Sequence, residues 1–401
     1  MQTSQINNQT NKPAFLLFGL AFRPLFLFAA IFSSLAIAWW VYFWSHPFNW
    51  TPYGGAIWWH AHEMIFGFCM AIVTGFLLTA VRTWTGVDGI SGRKLLIFVS
   101  LWLAARILIS INFTISAVLV AIVDVGYLLV ATALMAYPVI KVKQWRNLMF
   151  VPILTIFALL NGISHWANYS NQNGLSIQVF HAAIILLTLV IAIIGGRVIP
   201  MFTANGCGCP KATTILAVEL LSLLPIVVIV GFATYGFSKI DANFLFAFSM
   251  LAAVANLYRF SRWGFQYTKS NPLVWSLHLS YVFIPLGYFL LALFAFGYIT
   301  SISAALHSFT IGAIGGMILA MISRVSLGHT GRPLKSFTAI SWAYAFIALA
   351  AIMRVVIPEL LPKYYMLGIS FSGILWVIAF GLFGVFFYPI LTQARPDGRP
   401  H

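Results

Sequence analysis

Apolar residues in this chain run on in long blocks instead of alternating with polar ones. Twelve blocks are each long enough to cross a bilayer, at 25–44, 56–81, 93–110, 114–138, 147–167, 175–195, 211–235, 241–260, 272–298, 302–323, 336–356 and 361–390. A spanning helix needs about 20 mostly apolar residues. Helices satisfy their own backbone hydrogen bonds in lipid. A barrel strand alternates in polarity, and runs such as Ile184-Ile185-Leu186-Leu187 do not. The pattern therefore predicts an all-α integral membrane protein of about twelve transmembrane helices. Residues 1–401 form a single polytopic membrane domain, with 1–24 and 391–401 as short terminal segments.

Composition agrees. Of 401 residues, 61% are hydrophobic and 7% charged, whereas soluble domains carry roughly 25% charged residues. The lipid bilayer is thus the chain's main partner. The net charge of +15 invites a nucleic-acid reading, but basic residues fall in small groups between spans, so no nucleic acid is expected. Three cysteines give no disulfide framework. The polar start, Met1 to Lys12, leads into no short signal-peptide core. Of the 22 Lys and Arg, all but Arg106, Lys239, Arg354 and Lys363 fall in the even-numbered loops and the tails. Basic loops stay in the cytoplasm, which predicts that both termini are cytoplasmic. Trp39, Trp40, Trp44, Trp50, Trp58 and Trp59 gather at the outer ends, as an interfacial belt does.

Polar residues inside spans mark function by default. On this topology His60 and His62 open span two, His181 lies early in span six, His307 early in span ten, and His165 near the outer end of span five. At 1.5 Å per residue all five lie within roughly 10 Å of the outer face. His278 sits in the inner third of span nine, and His46 and His329 fall in loops. Imidazole suits iron, copper and zinc, and axial histidine commonly holds haem. The shared depth predicts a haem or metal site in the outer leaflet. His60 and His62 point about 200° apart on a helix and so serve different centres. Glu63 shares a face with His60 and either orients a ligand imidazole, carries protons, or simply complements a helix N-terminus.

Spans two, six and ten each begin with an outer histidine and end at an arginine followed by a glycine-bearing loop. These arginines are Arg82, Arg197 and Arg324. The recurrence suggests three pseudo-repeats of four helices; the positive-inside bias also explains the arginines. Asp124 in span four and Glu219 in span seven are candidates for a proton path. Pairing with Arg106, two or more turns away in depth on this count, is the structural alternative. Cys207-Gly208-Cys209 is a weak soft-metal pattern.

Several stretches together resemble one family. They are Phe22-Arg23-Pro24, His60-Ala61-His62-Glu63-Met64 with Phe66-Gly67, the run Gly196-Arg197 to Asn205-Gly206, Leu277-His278 with Tyr281, and His307 through Gly315-Gly316-Met317 to Arg324-Val325-Ser326-Leu327-Gly328-His329-Thr330-Gly331-Arg332-Pro333. Over nearly the whole chain they are similar to the NnrS family of the bacterial cytoplasmic (inner) membrane. The resemblance implies haem and copper, and a role in nitric oxide metabolism: denitrification in some bacteria, nitrosative-stress resistance in others. It brings no ligand assignment, no electron donor and no oligomeric state, and leaves open whether the protein is an oxidoreductase acting on nitric oxide.

Twelve helices with outer histidines on spans two, six and ten also resemble the catalytic subunit of haem–copper oxidases. On that analogy His307 with His60 or His62 ligates a haem, and His181 with His165 holds copper. The chain has no Cys-x-x-Cys-His, so the haem is b-type and non-covalent. The alternative is a multi-pass transporter of a metal, haem or small solute, although transporter sites favour the bilayer midplane.

Overall fold

The computed structural model describes residues 16–111 and 115–398, and among these there is no strand. Its twelve long helices are α1 (Phe22–Ser45), α2 (Ala56–Thr85), α3 (Gly92–Ser110), α4 (Ala117–Lys141), α5 (Phe150–Tyr169), α6 (Asn173–Cys207), α7 (Leu216–Tyr235), α8 (Ala242–Ser261), α9 (Pro272–Ala295), α10 (Ser303–His329), α11 (Thr338–Leu360) and α12 (Tyr365–Thr392). Eleven of them are long and apolar enough to cross a bilayer, so the chain is a multi-pass membrane protein. The exception is α3, whose 19 residues include Arg93, Lys94 and Arg106. It is nonetheless a pass. The Arg23 guanidinium at the start of α1 donates to the carbonyls of Leu391 (2.8 Å) and Gln393 (2.9 Å) at the end of α12. Both chain ends therefore share one face, termed the terminal face. That requires an even number of crossings.

Two boundaries differ instructively from the sequence reading. The glycine-bearing stretches after Gly195 and Arg324, expected as loops, are helical: α6 continues to Cys207 and α10 to His329. Ile199, Pro200 and Thr203 remain buried along this extension. Tertiary packing thus offsets the weak helix propensity of Gly and Pro. The extension stops only where Gly208 turns left-handed, with φ 65°. His329 is accordingly the last helical residue of α10, not a loop residue.

α2, α10, α9 and α6 are the most enclosed helices, with 83%, 72%, 67% and 61% of their spanning windows buried. They form the centre. α1 packs on α12 and α12 on α11, while α4–α5 and α7–α8 pack as outer pairs. The central pair α2 and α10 share an irregularity. Each begins as α-helix through its histidines and then widens into a π-helical stretch, Glu63–Cys69 in α2 and Ser308–Gly315 in α10. Such insertions are frequent at functional sites, because one extra residue re-aims every side chain beyond it. α6, the third helix of the suggested repeat, has no such stretch.

Candidate functional site

At the end of α2 remote from the terminal face, His60 and His62 leave the helix in different directions. His60 stacks on Trp40 of α1, with ring centroids 4.3 Å apart. His62 stacks on Trp58 at the same separation. The divergence expected from their spacing is present, and each histidine enters its own site.

His62 lies in a fully buried polar network. Its Nδ1 faces Glu63 Oε1 at 3.0 Å, and its Nε2 faces Asn161 Oδ1 at 2.8 Å and Asp124 Oδ2 at 3.1 Å. Arg106 donates through Nη1 to Glu63 at 2.6 Å and through Nη2 to Asp124. Asn161 Nδ2 also donates to Asp124, and His165 Nε2 lies 3.1 Å from the same carboxylate. The Tyr53 hydroxyl lies 3.1 Å from His165 Nδ1. Burial holds the Tyr53 phenol above its ordinary range, so it stays protonated; the Asp124 carboxylate only accepts, which leaves a neutral His165 to accept from Tyr53 at Nδ1. His165 then carries its proton on Nε2, toward Asp124. His62 meets only acceptors on both nitrogens, so the network assigns it a proton on each. Two carboxylates thereby balance one guanidinium and one imidazolium, as a buried cluster requires. His62, Asp124 and His165 offer three ligand atoms within 4.8 Å of one another.

Glu63 serves the adjacent His62 and not His60: its Oε1 meets His62 Nδ1 and the Arg106 guanidinium. Asp124 does pair with Arg106. α4 starts at 117, three residues later than the sequence suggested, which shifts Asp124 toward the same depth as the end of α3.

His60 and His307 line one cavity, about 700 Å³ with the open space at its mouth included. Its walls are mainly apolar, from Ile37, Ile65, Phe68, Ile184, Leu187 and Ile311 among others, with Arg354 and Trp376 adding polar groups. His307 Nδ1 donates to the Ser303 carbonyl at 2.8 Å. That bond fixes the tautomer and leaves Nε2 as a lone-pair donor. His60 Nδ1 and Trp376 Nε1 are buried without a hydrogen-bond partner. Arg354 donates to Ser303 Oγ at 3.0 Å. A second cavity, about 980 Å³ and lined by apolar side chains, shares Leu187 and Ile314 with the first.

The remaining candidates lie elsewhere. The His181 ring tilts against Phe237, 5.6 Å away, whereas His165 sits in the His62 network. Glu219, in the first turn of α7, pairs with Arg259, which also donates to the Ala192 carbonyl and the Tyr281 hydroxyl. His278 Nε2 and Thr203 Oγ1 share a hydrogen bond of 2.8 Å. The Arg324 guanidinium lies 3.7 Å over the Phe202 ring. Arg395 donates to the His329 carbonyl, and Arg332 to the Thr330 carbonyl. Arg197 lines an open pocket at the start of α7.

Sequence reasoning missed Asn161, Tyr53, Trp58, Ser303, Trp40, Arg354 and Trp376. Three carried a signal: Asn161, Trp58 and Ser303 each stand four residues before a candidate histidine, on its helix face. The others reach the sites only through tertiary packing.

No curated protein matches the chain. The family profile described as NnrS protein matches residues 16–395. That match spans all twelve helices and both histidine sites, and the chain belongs to the NnrS family.

Proposed function

We propose that this protein is a haem- and copper-binding membrane protein of nitric oxide metabolism or nitrosative-stress resistance. It would lie in the bacterial inner membrane with both termini cytoplasmic. The observation that supports it most directly is the pairing of His60 and His307, from two central helices, on one largely apolar cavity.

The residues present fit haem. Non-covalent haem needs imidazole ligands and apolar walls. His307 has its tautomer fixed by Ser303, and His60 carries a buried ring nitrogen with no partner. Arg354 supplies a cation for a carboxylate. When bound, haem supplies one-electron chemistry toward nitric oxide. The residues also fit a divalent ion such as copper. His62 Nε2, His165 Nε2 and Asp124 Oδ2 form a two-nitrogen, one-oxygen donor set. Binding an ion there releases the His62 Nε2 proton and moves the His165 proton from Nε2 to Nδ1, where Tyr53 Oη then accepts it, so both Nε2 lone pairs face the ion as neutral imidazoles. Glu63 orients His62 through Nδ1, and Tyr53 orients His165 through Nδ1. These observations support copper at His62 and His165, with His60 alone of the α2 pair at the haem.

Absorption spectra and metal analysis of purified variants test both halves. His307→Ala should lose the Soret band while retaining copper. His165→Ala should lose copper while retaining haem. An unchanged Soret band in folded His307→Ala overturns the haem assignment. Copper lost from His181→Ala but kept in His165→Ala would restore the His181 alternative. Exchangeable, substoichiometric metal and no haem in the wild type would favour a transporter.

The second cavity supports a route for an apolar diatomic from the bilayer, since Leu187 and Ile314 separate it from the histidine cavity. Leu187→Trp should slow nitric oxide binding to the reduced protein about tenfold without moving its resting spectrum. An unchanged rate removes this route.

A further inference from the structure

The strongest feature that the proposed cofactor chemistry leaves unused is a cationic cup on the terminal face. It lies between α6, α7 and α8 beside the extended segment 209–215, and is open to its surroundings. Arg197, Lys211, Arg259 and Arg262 line it, against a single carboxylate, Glu219. Glu219 is already committed: Arg259 grips it with Nε on one oxygen at 2.9 Å and Nη2 on the other. Arg262 reaches the carbonyl and hydroxyl of Thr213, at 3.5 and 3.3 Å, and lies 6.0 Å over the Tyr258 ring. Among the described residues no carboxylate lies within ion-pair distance of Arg197, Lys211 or Arg262. Three cations thus converge on one pocket without a counter-ion.

The surroundings of the cup select the ligand. Of the eleven apolar spans, α7 is the least enclosed, with 28% of its spanning window buried. Leu216, Leu220 and Leu224 recur every fourth residue on one face of it and are 71%, 46% and 56% exposed. A lipid-facing apolar stripe therefore runs down from the mouth of a cationic pocket. A soluble anion would use only the pocket; a molecule with an anionic head and acyl chains uses both. Basic pockets between helices on one side of a membrane bind anionic headgroups.

We propose that this cup is a binding site for an anionic phospholipid, its headgroup phosphate held by Arg197, Lys211 and Arg262 and its acyl chains lying along α7. The site is independent of the histidine cavities and lies on the opposite face.

The test uses full-length protein stripped of lipid in detergent, titrated with phosphatidylglycerol, phosphatidylcholine or inorganic phosphate, and read by native mass spectrometry and thermal melting. Phosphatidylglycerol should bind and raise Tm, with phosphatidylcholine much weaker. Arg197 and Lys211 are exposed, so the Arg197→Gln, Lys211→Gln double variant should fold. It should lose roughly 25-fold in phosphatidylglycerol affinity, about fivefold per cation. Lys363→Gln, remote in sequence on the opposite face, should lose none. Equal binding of the two lipids, or wild-type affinity in the double variant, overturns the proposal. Inorganic phosphate reproducing the Tm shift and displacing the lipid would overturn the lipid assignment in favour of a soluble anion. Should the double variant not fold, Lys211→Gln alone, on the 209–215 segment, must still show the fivefold loss.

Discussion

At the residue scale, two of the buried arginines, Arg106 and Arg259, depend on a missing side chain. Arg106 crosses Gly67, where an added Cβ would lie 2.5 Å from Nη1 and 3.1 Å from Glu63 Oε2. Arg259 crosses Gly196, where a Cβ would collide with its guanidinium. Neither glycine has a positive φ, so their value is space and not backbone freedom. The obstacle in each case is a charged group tied to a carboxylate, which cannot swing aside without leaving a buried charge unpaired. Gly196→Ala should therefore destabilise the protein by about 1–3 kcal/mol, the range for overpacking a tight site. Gly231→Ala, with nothing near its Cβ, serves as the control. Thermal melting in detergent decides: equal melting temperatures would show that Arg259 moves freely.

At the element scale, the π-helical stretches set which way the histidines look. A stretch of this kind carries one residue more than the α-helix it interrupts. Deleting one residue resets the turn and rotates the N-terminal part of the helix by about 100° against the C-terminal part. Ile311 lies inside the widened part of α10 and is half-buried. Its deletion should leave α10 long enough to span the membrane, yet turn His307 away from His60. The expected outcome is a protein that inserts and folds but has lost the Soret band. Haem retained in full would show that the widened turn does not aim His307. The long α6 makes a similar point. Its glycines and proline predict a loop when judged locally, but burial of Ile199 and Thr203 carries the helix on to Cys207.

At the scale of the whole molecule, charge decides orientation and the even number of passes makes the decision testable. The contact of Arg23 with the end of α12 places both ends together. On the proposed orientation, the basic loops put that face in the cytoplasm. A fluorescent protein fused after residue 401 should be bright, and an alkaline phosphatase fused there inactive. The reverse result would invert the protein in the membrane. It would also move the histidine sites, which lie toward the other face, from the periplasmic to the cytoplasmic side.

The helices are legible in the sequence alone, because a bilayer demands long apolar runs and these are visible residue by residue. The divergence of His60 and His62 is legible too, since helix geometry separates them by about 200°. So are Asp124, Glu63 and His165, as polar residues out of place in lipid. Their partners are chosen only in three dimensions. Joining Arg106 to Asp124 and Glu63, or His60 to His307, depends on helix packing, tilt and two extra residues in π-helical turns. Those are set by the fit of many side chains between helices, and no local run of sequence records it. Hydrophobic burial in lipid is written along each helix, whereas the sites arise between helices, where a shift of one residue changes which groups meet.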